Sequence, residues 1–365
     1  MTSSIEQAGP VQLLLKVGAS GGSGWSRLYP EGPPFGYFCS YWPEELVLSL
    51  GWEPYRMLPA SANATPGRLP AFCCSLARAC LAAAEAGEYR ELAGVGFGHT
   101  CDTIQSLAGI WPHERTFLLV PPVALQAPGA LAYHTAQLAS LWRRLAGQAG
   151  KEPDPAALRR AIRLTNRIRA LAGRLDEMRP RLPSPLVSAI LRAGQIMPRE
   201  AYAAALEAAL PELAGAAASP QGRRRLLISG PALENDGLYE LLEELGARVV
   251  ADDTCTGHRH FTGLVAEDEE PLAAIAGRYA SIPACPCRFK HLDDRPDHLA
   301  ALARDREADG VILVVRKYCD PHAWDAVSVA KRLRGEGLPV LVLEMQTATP
   351  GEQERTRVQA FLECL

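Results

Sequence analysis

The 365-residue chain has no apolar run approaching the roughly 20 residues that a membrane-spanning helix needs. Its first ten residues, MTSSIEQAGP, carry neither a basic stretch nor an apolar one, so no export signal is read and a cytoplasmic location is expected. Charge of one sign is also missing. Thirty-eight Lys and Arg stand against 41 Asp and Glu, a formal net charge of -3. Without a basic surplus, neither nucleic acid nor an anionic membrane is expected as a partner. Aromatics are sparse at 7%, and no internal period marks a repeat protein. The glycine-rich stretch from Ser20 to Gly24 is followed by no Lys-Ser/Thr pair, so it is no phosphate-binding P-loop and reads as a flexible connector.

What is present is a soluble-protein composition, with 48% hydrophobic and 22% charged residues, and enough length for two or three domains. Short apolar runs predict strands at 35–41, 55–58, 94–100, 116–120, 225–229, 247–251, 311–315 and 339–344, with a further short strand at 11–17. Helices are expected between them, at 43–50, 69–86, 238–245, 271–279, 323–334 and 352–365, with another starting at 101. Strands alternating with helices imply doubly wound parallel sheets. Residues 126–215 differ: they are rich in Ala, Leu and Arg and read as helices without a strand. The arginines of 159–169 read as a solvated helix face. The expected organisation is an N-terminal extension (1–34), a first α/β domain (35–125), a helical segment (126–220) and a second α/β domain (221–365).

Ten cysteines are many for a reducing compartment, where disulfides are not expected. Cys39 stands at the end of a predicted strand, and Cys101, Cys255 and Cys319 each follow one. Cys73-Cys74 opens a predicted helix, and Cys285 and Cys287 flank Pro286. Sites in doubly wound sheets form beyond the carboxyl ends of the strands, and a helix start there favours a thiolate. Zinc sites use local C-x₂₋₄-C pairs, whereas these cysteines are scattered, which suits an iron–sulfur cluster held between domains. Cys74, Cys101 and Cys319 are the expected ligands. For Cys39, Cys73, Cys255, Cys285 and Cys287, ligation and simple packing both stay open. Cys285 and Cys287, two residues apart on extended chain, point the same way and are expected to reach the same cleft. Cys80 and Cys364, inside helices, read as buried packing residues.

Other groups have two readings each. Glu44 and Glu45, at a helix start, are candidate catalytic proton donors or dipole partners. Asp102 and Asp320 read as helix N-caps. Arg259 is a candidate for binding a substrate carboxylate or a CoA phosphate. His258 and His260 alternate but lack a third metal ligand. His99, beside Thr100-Cys101, is a candidate donor to a cluster sulfide.

Several segments together carry a family likeness. They are Gly36-Tyr37-Phe38-Cys39-Ser40-Tyr41-Trp42-Pro43-Glu44-Glu45-Leu46, Cys74-Ser75-Leu76-Ala77-Arg78 and Thr100-Cys101-Asp102-Thr103. The second half adds Cys255-Thr256-Gly257-His258-Arg259, Lys317-Tyr318-Cys319-Asp320-Pro321 and the tail from Thr356 to Glu363. From about residue 35 onward the sequence resembles the 2-hydroxyacyl-CoA dehydratase family, which includes benzoyl-CoA reductase subunits. The resemblance implies two flavodoxin-like doubly wound domains with a [4Fe-4S] cluster between them, held by Cys74, Cys101 and Cys319. It implies an ATP-hydrolysing iron–sulfur activator that delivers a low-potential electron, radical dehydration or reduction of an acyl-CoA, and a homologous subunit or a second copy as partner. The extra cysteines resemble a branch of that family with a double-cubane cluster, which reduces small molecules. A non-catalytic iron–sulfur electron-transfer protein is a third expectation.

Overall fold

The structure is a computed structural model that describes residues 9–20, 28–29, 32–59, 68–216, 222–288 and 291–365. Most of the glycine-rich stretch after Ser20 and most of the expected boundary at 219–222 lie outside these residues. The chain opens with α1 (Pro10–Ala19) and then builds β1 (Phe35–Tyr37), α2 (Glu44–Ser49), β2 (Pro54–Arg56), α3 (Ser75–Glu85), β3 (Gly94–Gly98), α4 (Asp102–Ile110) and β4 (Thr116–Leu119). Four helices follow without a strand between them: α5 (Ala130–Ala149), α6 (Pro155–Glu177), α7 (Ser184–Ile196) and α8 (Arg199–Gly215). A second α/β run comprises β5 (Arg224–Gly230), α9 (Gly237–Glu244), β6 (Ala247–Thr254), α10 (Pro271–Ser281), α11 (Asp294–Asp305), β7 (Gly310–Arg316), α12 (Asp320–Gly335), β8 (Val340–Met345) and α13 (Glu352–Glu363).

The strands form two separate four-stranded sheets, ordered β2-β1-β3-β4 and β6-β5-β7-β8. Every pairing is parallel. The architecture is therefore α/β with two parallel sheets. Each order is the same 2-1-3-4 pattern, so each sheet reverses its winding between its first and third strands. Parallel strands are covered on both faces, which explains why β3 and β7 are continuous buried runs rather than alternating ones. In β3 this close covering also sets the residue type: a Cβ at Gly96 would meet the Trp42 ring at 2.4 Å.

Three details differ from the sequence expectation. Residues 11–17 lie in helix α1, not a strand; Val11, Leu14 and Val17 recur every third residue and are buried in the same core as α7 and α8. Helix α11 was not expected, because its first turn is charged (Asp294, Arg295, Asp297) and hides the apolar face of Leu299, Ala300 and Ala303. The arginine face of α6 is exposed at Arg160, Arg163 and Arg167, but Arg169 is buried and ion-paired with Glu45.

The segment from Val265 to Cys285, although it follows β6 in the chain, packs into the core around β1, α2 and α5. It thereby carries the loop after α10 to the edge of the first sheet.

Candidate metal centre

The two sheets turn the carboxyl ends of their strands toward one cavity of about 120 Å³. The chain leaving β1 contributes Phe38, Cys39, Ser40 and Tyr41; that leaving β3 contributes Thr100 and Cys101. Across from them stand Pro231 and Ala232 after β5, Cys255 after β6 and Cys319 after β7. These are the switch points of both sheets, the places where doubly wound folds leave a crevice. Cys74, Cys285 and Cys287 complete the wall, so seven of the ten cysteines face this one space. A wider vestibule of about 340 Å³ shares Cys74, Cys101 and Cys319 with it and is lined by Asp102, Pro286, Tyr318, Asp320 and Trp324. Pro286 faces the vestibule while Cys285 and Cys287 face the inner cavity, the alternation expected of residues i and i+2.

Three of the seven occupy equivalent positions. Cys74, Cys101 and Cys319 are the N-cap residues of α3, α4 and α12. Three helix N-termini, each with unpaired amides and the positive end of the helix dipole, thus meet at the cavity. Burial pushes the Cys101 thiol up to about 11, with the amides of Thr103 and Ile104 pulling against it. Burial likewise pushes Cys319 up to about 12 against the pull of the His322 amide. Tyr318, immediately before Cys319, holds a left-handed φ of 65°. That conformation is unfavourable for a bulky side chain and turns the backbone sharply into the cap.

The other four sit on loops. Cys39 Sγ accepts from the Tyr41 amide at 3.4 Å, and burial pushes its thiol up to about 11. Arg259 Nη1 donates to Cys255 Sγ at 3.4 Å. Cys285 and Cys287 hydrogen-bond each other. Sharing lets the pair release its first proton below the ordinary thiol range and hold the second well above it.

This donor set discriminates between metals. Among the described residues, no three His, Cys, Asp or Glu side chains converge on a point that would hold a single ion. A lone zinc needs four donors about 2.0–2.3 Å from one centre. Seven sulfurs spread around a void, all soft thiol ligands, suit a polynuclear iron–sulfur group instead. The residues therefore fit such a group.

Several expected site residues fall elsewhere. Glu44 and Glu45 do not line the cysteine cavity. Glu44 is clamped by Arg199 at 2.9 and 2.7 Å and faces His260 Nε2 at 3.3 Å; these partners hold it well below the usual carboxylate range against the effect of burial. Glu45 is fully buried against Arg169 and Thr165 and is also held low. Both carboxylates are ion-paired with buried arginines, away from the cysteines. Arg259 lines the cavity, is buried, and pairs with Asp253. The caps expected at Asp102 and Asp320 are the cysteines before them, and the aspartates stand in the first turns. His258 faces Asp176 at 4.0 Å and His260 faces Glu44, so they share no site. His99 lines neither the cavity nor the vestibule. Cys73 is half-buried beside the core, Cys80 is fully buried in it, and Cys364 is exposed at the end of α13 rather than packed.

Sequence reading missed three lining residues. Arg56, at the end of β2, donates to Ser40 Oγ at 3.0 Å and to Gln195 Oε1 and the Cys255 carbonyl at 2.6 Å, so it ties the two halves of the wall together. Ser40 donates to the same carbonyl at 2.9 Å. His322, third in α12 after the Cys319 cap, is kept neutral by burial and by Arg295 and Arg259. Its place in Cys319-Asp320-Pro321-His322 was the available signal.

Comparison with known proteins agrees with this geometry. The chain is 23% identical to the (R)-phenyllactyl-CoA dehydratase beta subunit of Clostridium sporogenes, over 89% of this chain and 90% of that protein. It is 24% identical to the beta subunit of the lactoyl-CoA dehydratase of Anaerotignum propionicum, over 89% and 90%. It is also 24% identical to one of the subunits of the benzoyl-CoA reductase of Thauera aromatica, over 92% and 91%. The family model for the D-component of 2-hydroxyglutaryl-CoA dehydratase matches residues 39–365. The match covers every strand but β1 and all seven cavity cysteines, and the chain belongs to that dehydratase and reductase enzyme family.

Proposed function

We propose that this chain is the iron–sulfur subunit of a 2-hydroxyacyl-CoA dehydratase-like enzyme. The observation that carries it is the convergence of Cys74, Cys101 and Cys319, three helix N-caps from both sheets, on one cavity. These three would hold a [4Fe-4S] cluster, and the vestibule would give a substrate access to it. When bound, the cluster supplies a low-potential electron to a substrate carbonyl, received in turn from an ATP-hydrolysing iron–sulfur activator. The chain's own contribution is to shield the site and neutralise its charge. Helix N-termini offset the negative thiolates, and Arg259 offsets Cys255. The beta-subunit names of the relatives support a homologous partner subunit. A second copy of this chain is the other arrangement. The fold and family suit a cytoplasmic enzyme acting on an acyl-CoA.

A second reading has its own observation. Cys39, Cys255, Cys285 and Cys287 face the same cavity as the three caps, more thiols than one cubane uses. This favours a double-cubane cluster and a small-molecule substrate reduced with ATP-driven electrons. Iron and acid-labile sulfide counted on anaerobically purified protein decide the matter. About four irons per chain support the single-cluster acyl-CoA enzyme, and about eight support the double-cubane reductase. Four irons with no turnover of any acyl-CoA in the presence of activator and ATP would leave a non-catalytic electron-transfer protein. Zinc alone would defeat every one of these readings.

A further inference from the structure

Among the described residues, eight of the eleven buried arginines pair with carboxylates, and Arg56 and Arg278 donate to neutral oxygens instead. Arg179 meets Asp176 and Asp252, Arg192 meets Asp236, Arg199 meets Glu44, Arg259 and Arg295 meet Asp253, and Arg316 meets Glu234. Arg288 is different. It is only 2% exposed, yet neither Nη1 nor Nη2 has a hydrogen-bond partner among the described residues. No carboxylate pairs with it there. Its guanidinium lies 3.9 Å over the ring of Tyr41, a contact that satisfies a face but no N–H. The titratable groups around it are the Tyr41 phenol, the Cys39 and Cys285 thiols, and His134. His134 is itself buried and neutral, with neither ring nitrogen partnered. An unpaired buried cation is costly, and a fold keeps one where an anion completes it.

We propose that Arg288 is the counter-charge to an anionic iron–sulfur group on the loop side of the cavity, held there by Cys39, Cys285 and Cys287. The assignment rests on the iron–sulfur reading above and deepens it. The three cap cysteines have helix N-termini to offset negative charge, and Cys255 has Arg259. Cys39 and the Cys285–Cys287 pair have no helix start of their own. Arg288, the residue after Cys287, is the cation beside Cys39, and it shares Cys285 with Arg259. It touches no substrate-accessible lining and so acts as a positioning residue, stabilising the more negative, reduced state of whatever the thiolates hold.

The test uses the full chain, reconstituted anaerobically with ferrous iron and sulfide, as parent, R288M and R288K. Met keeps length and apolar contact with Tyr41 but removes the charge, and Lys keeps the charge. Three quantities are read: the midpoint potential of the bound cluster, the rate at which a chelator strips iron, and the melting temperature with and without iron. The expected result is a more negative potential in R288M and iron lost roughly tenfold faster, the order of change expected from one charge-assisted interaction. The melting temperature of R288M should fall further in the loaded than in the iron-free protein, and R288K should restore the parent potential at least in part. Equal melting losses in both forms with an unchanged potential would mean that Arg288 only packs on Tyr41, and the assignment fails. A parent chain that loads normally while R288M matches it in every reading overturns this assignment alone. A parent chain that takes up no iron overturns the iron–sulfur reading and this assignment with it.

Discussion

The two sides of the cysteine cavity solve one electrostatic problem differently. On one side Cys74, Cys101 and Cys319 each cap a helix, so backbone dipoles supply the positive field. On the other side Cys39, Cys255, Cys285 and Cys287 lie on loops, where the field comes from the side chains of Arg259 and Arg288. The first solution is built into the strand–helix turns of the fold and needs no partner side chain. The second depends on single arginines and on a loop that reaches the site only because α10 packs against the first sheet. A dipole-neutralised set suits a cluster common to the architecture. An arginine-neutralised set suits an addition to it.

Removing members of each set tests that difference most directly. Cys101→Ser or Cys319→Ser should remove the cap-held cluster, leaving almost no iron if that cluster stands alone and about half of the parent's iron if the loop set holds a second cubane. Iron equal to the parent's in either variant would break the central assignment. Cys287→Ser should remove about half of the iron if the loop set holds a second cubane, and none if the three caps hold a single cluster. Iron and sulfide assays on the purified variants read both outcomes, and the second chooses between the two functional readings.

Stability against pH separates Cys285 from the other buried cavity thiols in the iron-free protein. Burial pushes the folded Cys39 and Cys101 thiols up to about 11 and Cys319 up to about 12, against an ordinary value of 9.0. With folded values raised, their contribution is complete below pH 9 and is lost as pH climbs through 11 to 12, because the unfolded thiols ionise first. Cys285 goes the other way. Its partner Cys287 donates to the thiolate and draws the first dissociation down to about 6, so its contribution is present above 9 and lost as pH falls through 6. The expected melting curve therefore rises from about pH 6 toward 9 and falls beyond it. Cys285→Ser should flatten the rise, and a Cys39→Ser/Cys101→Ser/Cys319→Ser triple variant should flatten the fall. Denaturation monitored by circular dichroism reads both. A curve unaffected by either change would mean that these thiols are not buried as described.

Much of the first side was legible in the sequence. A strand followed by a cysteine and then a helix start is a local pattern, and Thr100-Cys101-Asp102 and Tyr318-Cys319-Asp320 both display it. The alternation of short apolar runs and helices likewise pointed to parallel sheets. The second side was less legible, because its geometry is made by tertiary packing. Nothing local in Ala284-Cys285-Pro286-Cys287 states that the segment crosses to the first sheet; that follows from Ile275, Tyr279 and Ile282 finding Trp42 and Leu138. Ion pairing was hidden for the same reason. Glu45 and Arg169 are 124 residues apart in the chain, and Arg199 and Glu44 are 155 apart. Nothing local to a carboxylate at a helix start shows the buried cation that the fold gives it. The α1 segment reads as a strand because a seven-residue apolar run fits either period, and the packing of its third-residue stripe on α7 decides for helix.

The smallest effects are expected at the cysteines outside the cavity, and they bound the comparison from below. Cys80 is fully buried in the core of the first unit, among Tyr55, Met57 and Tyr89, with its thiol pointing at the Met57 carbonyl at 3.8 Å. At that distance the S–H contact is weak, so the side chain acts mainly as a small hydrophobe. Cys80→Ala removes one sulfur from a packed site, and a loss of about 1 kcal/mol is expected, in line with deleting a single buried heavy atom. Cys364 is exposed at the end of α13, touches no core, and should change nothing as Cys364→Ser. Both variants should bind iron and sulfide like the parent. Chemical denaturation gives the stability difference and the iron assay gives the cofactor. If either substitution removed iron, thiols other than the seven cavity cysteines would take part in binding, and the division of the site into a cap set and a loop set would have to be redrawn.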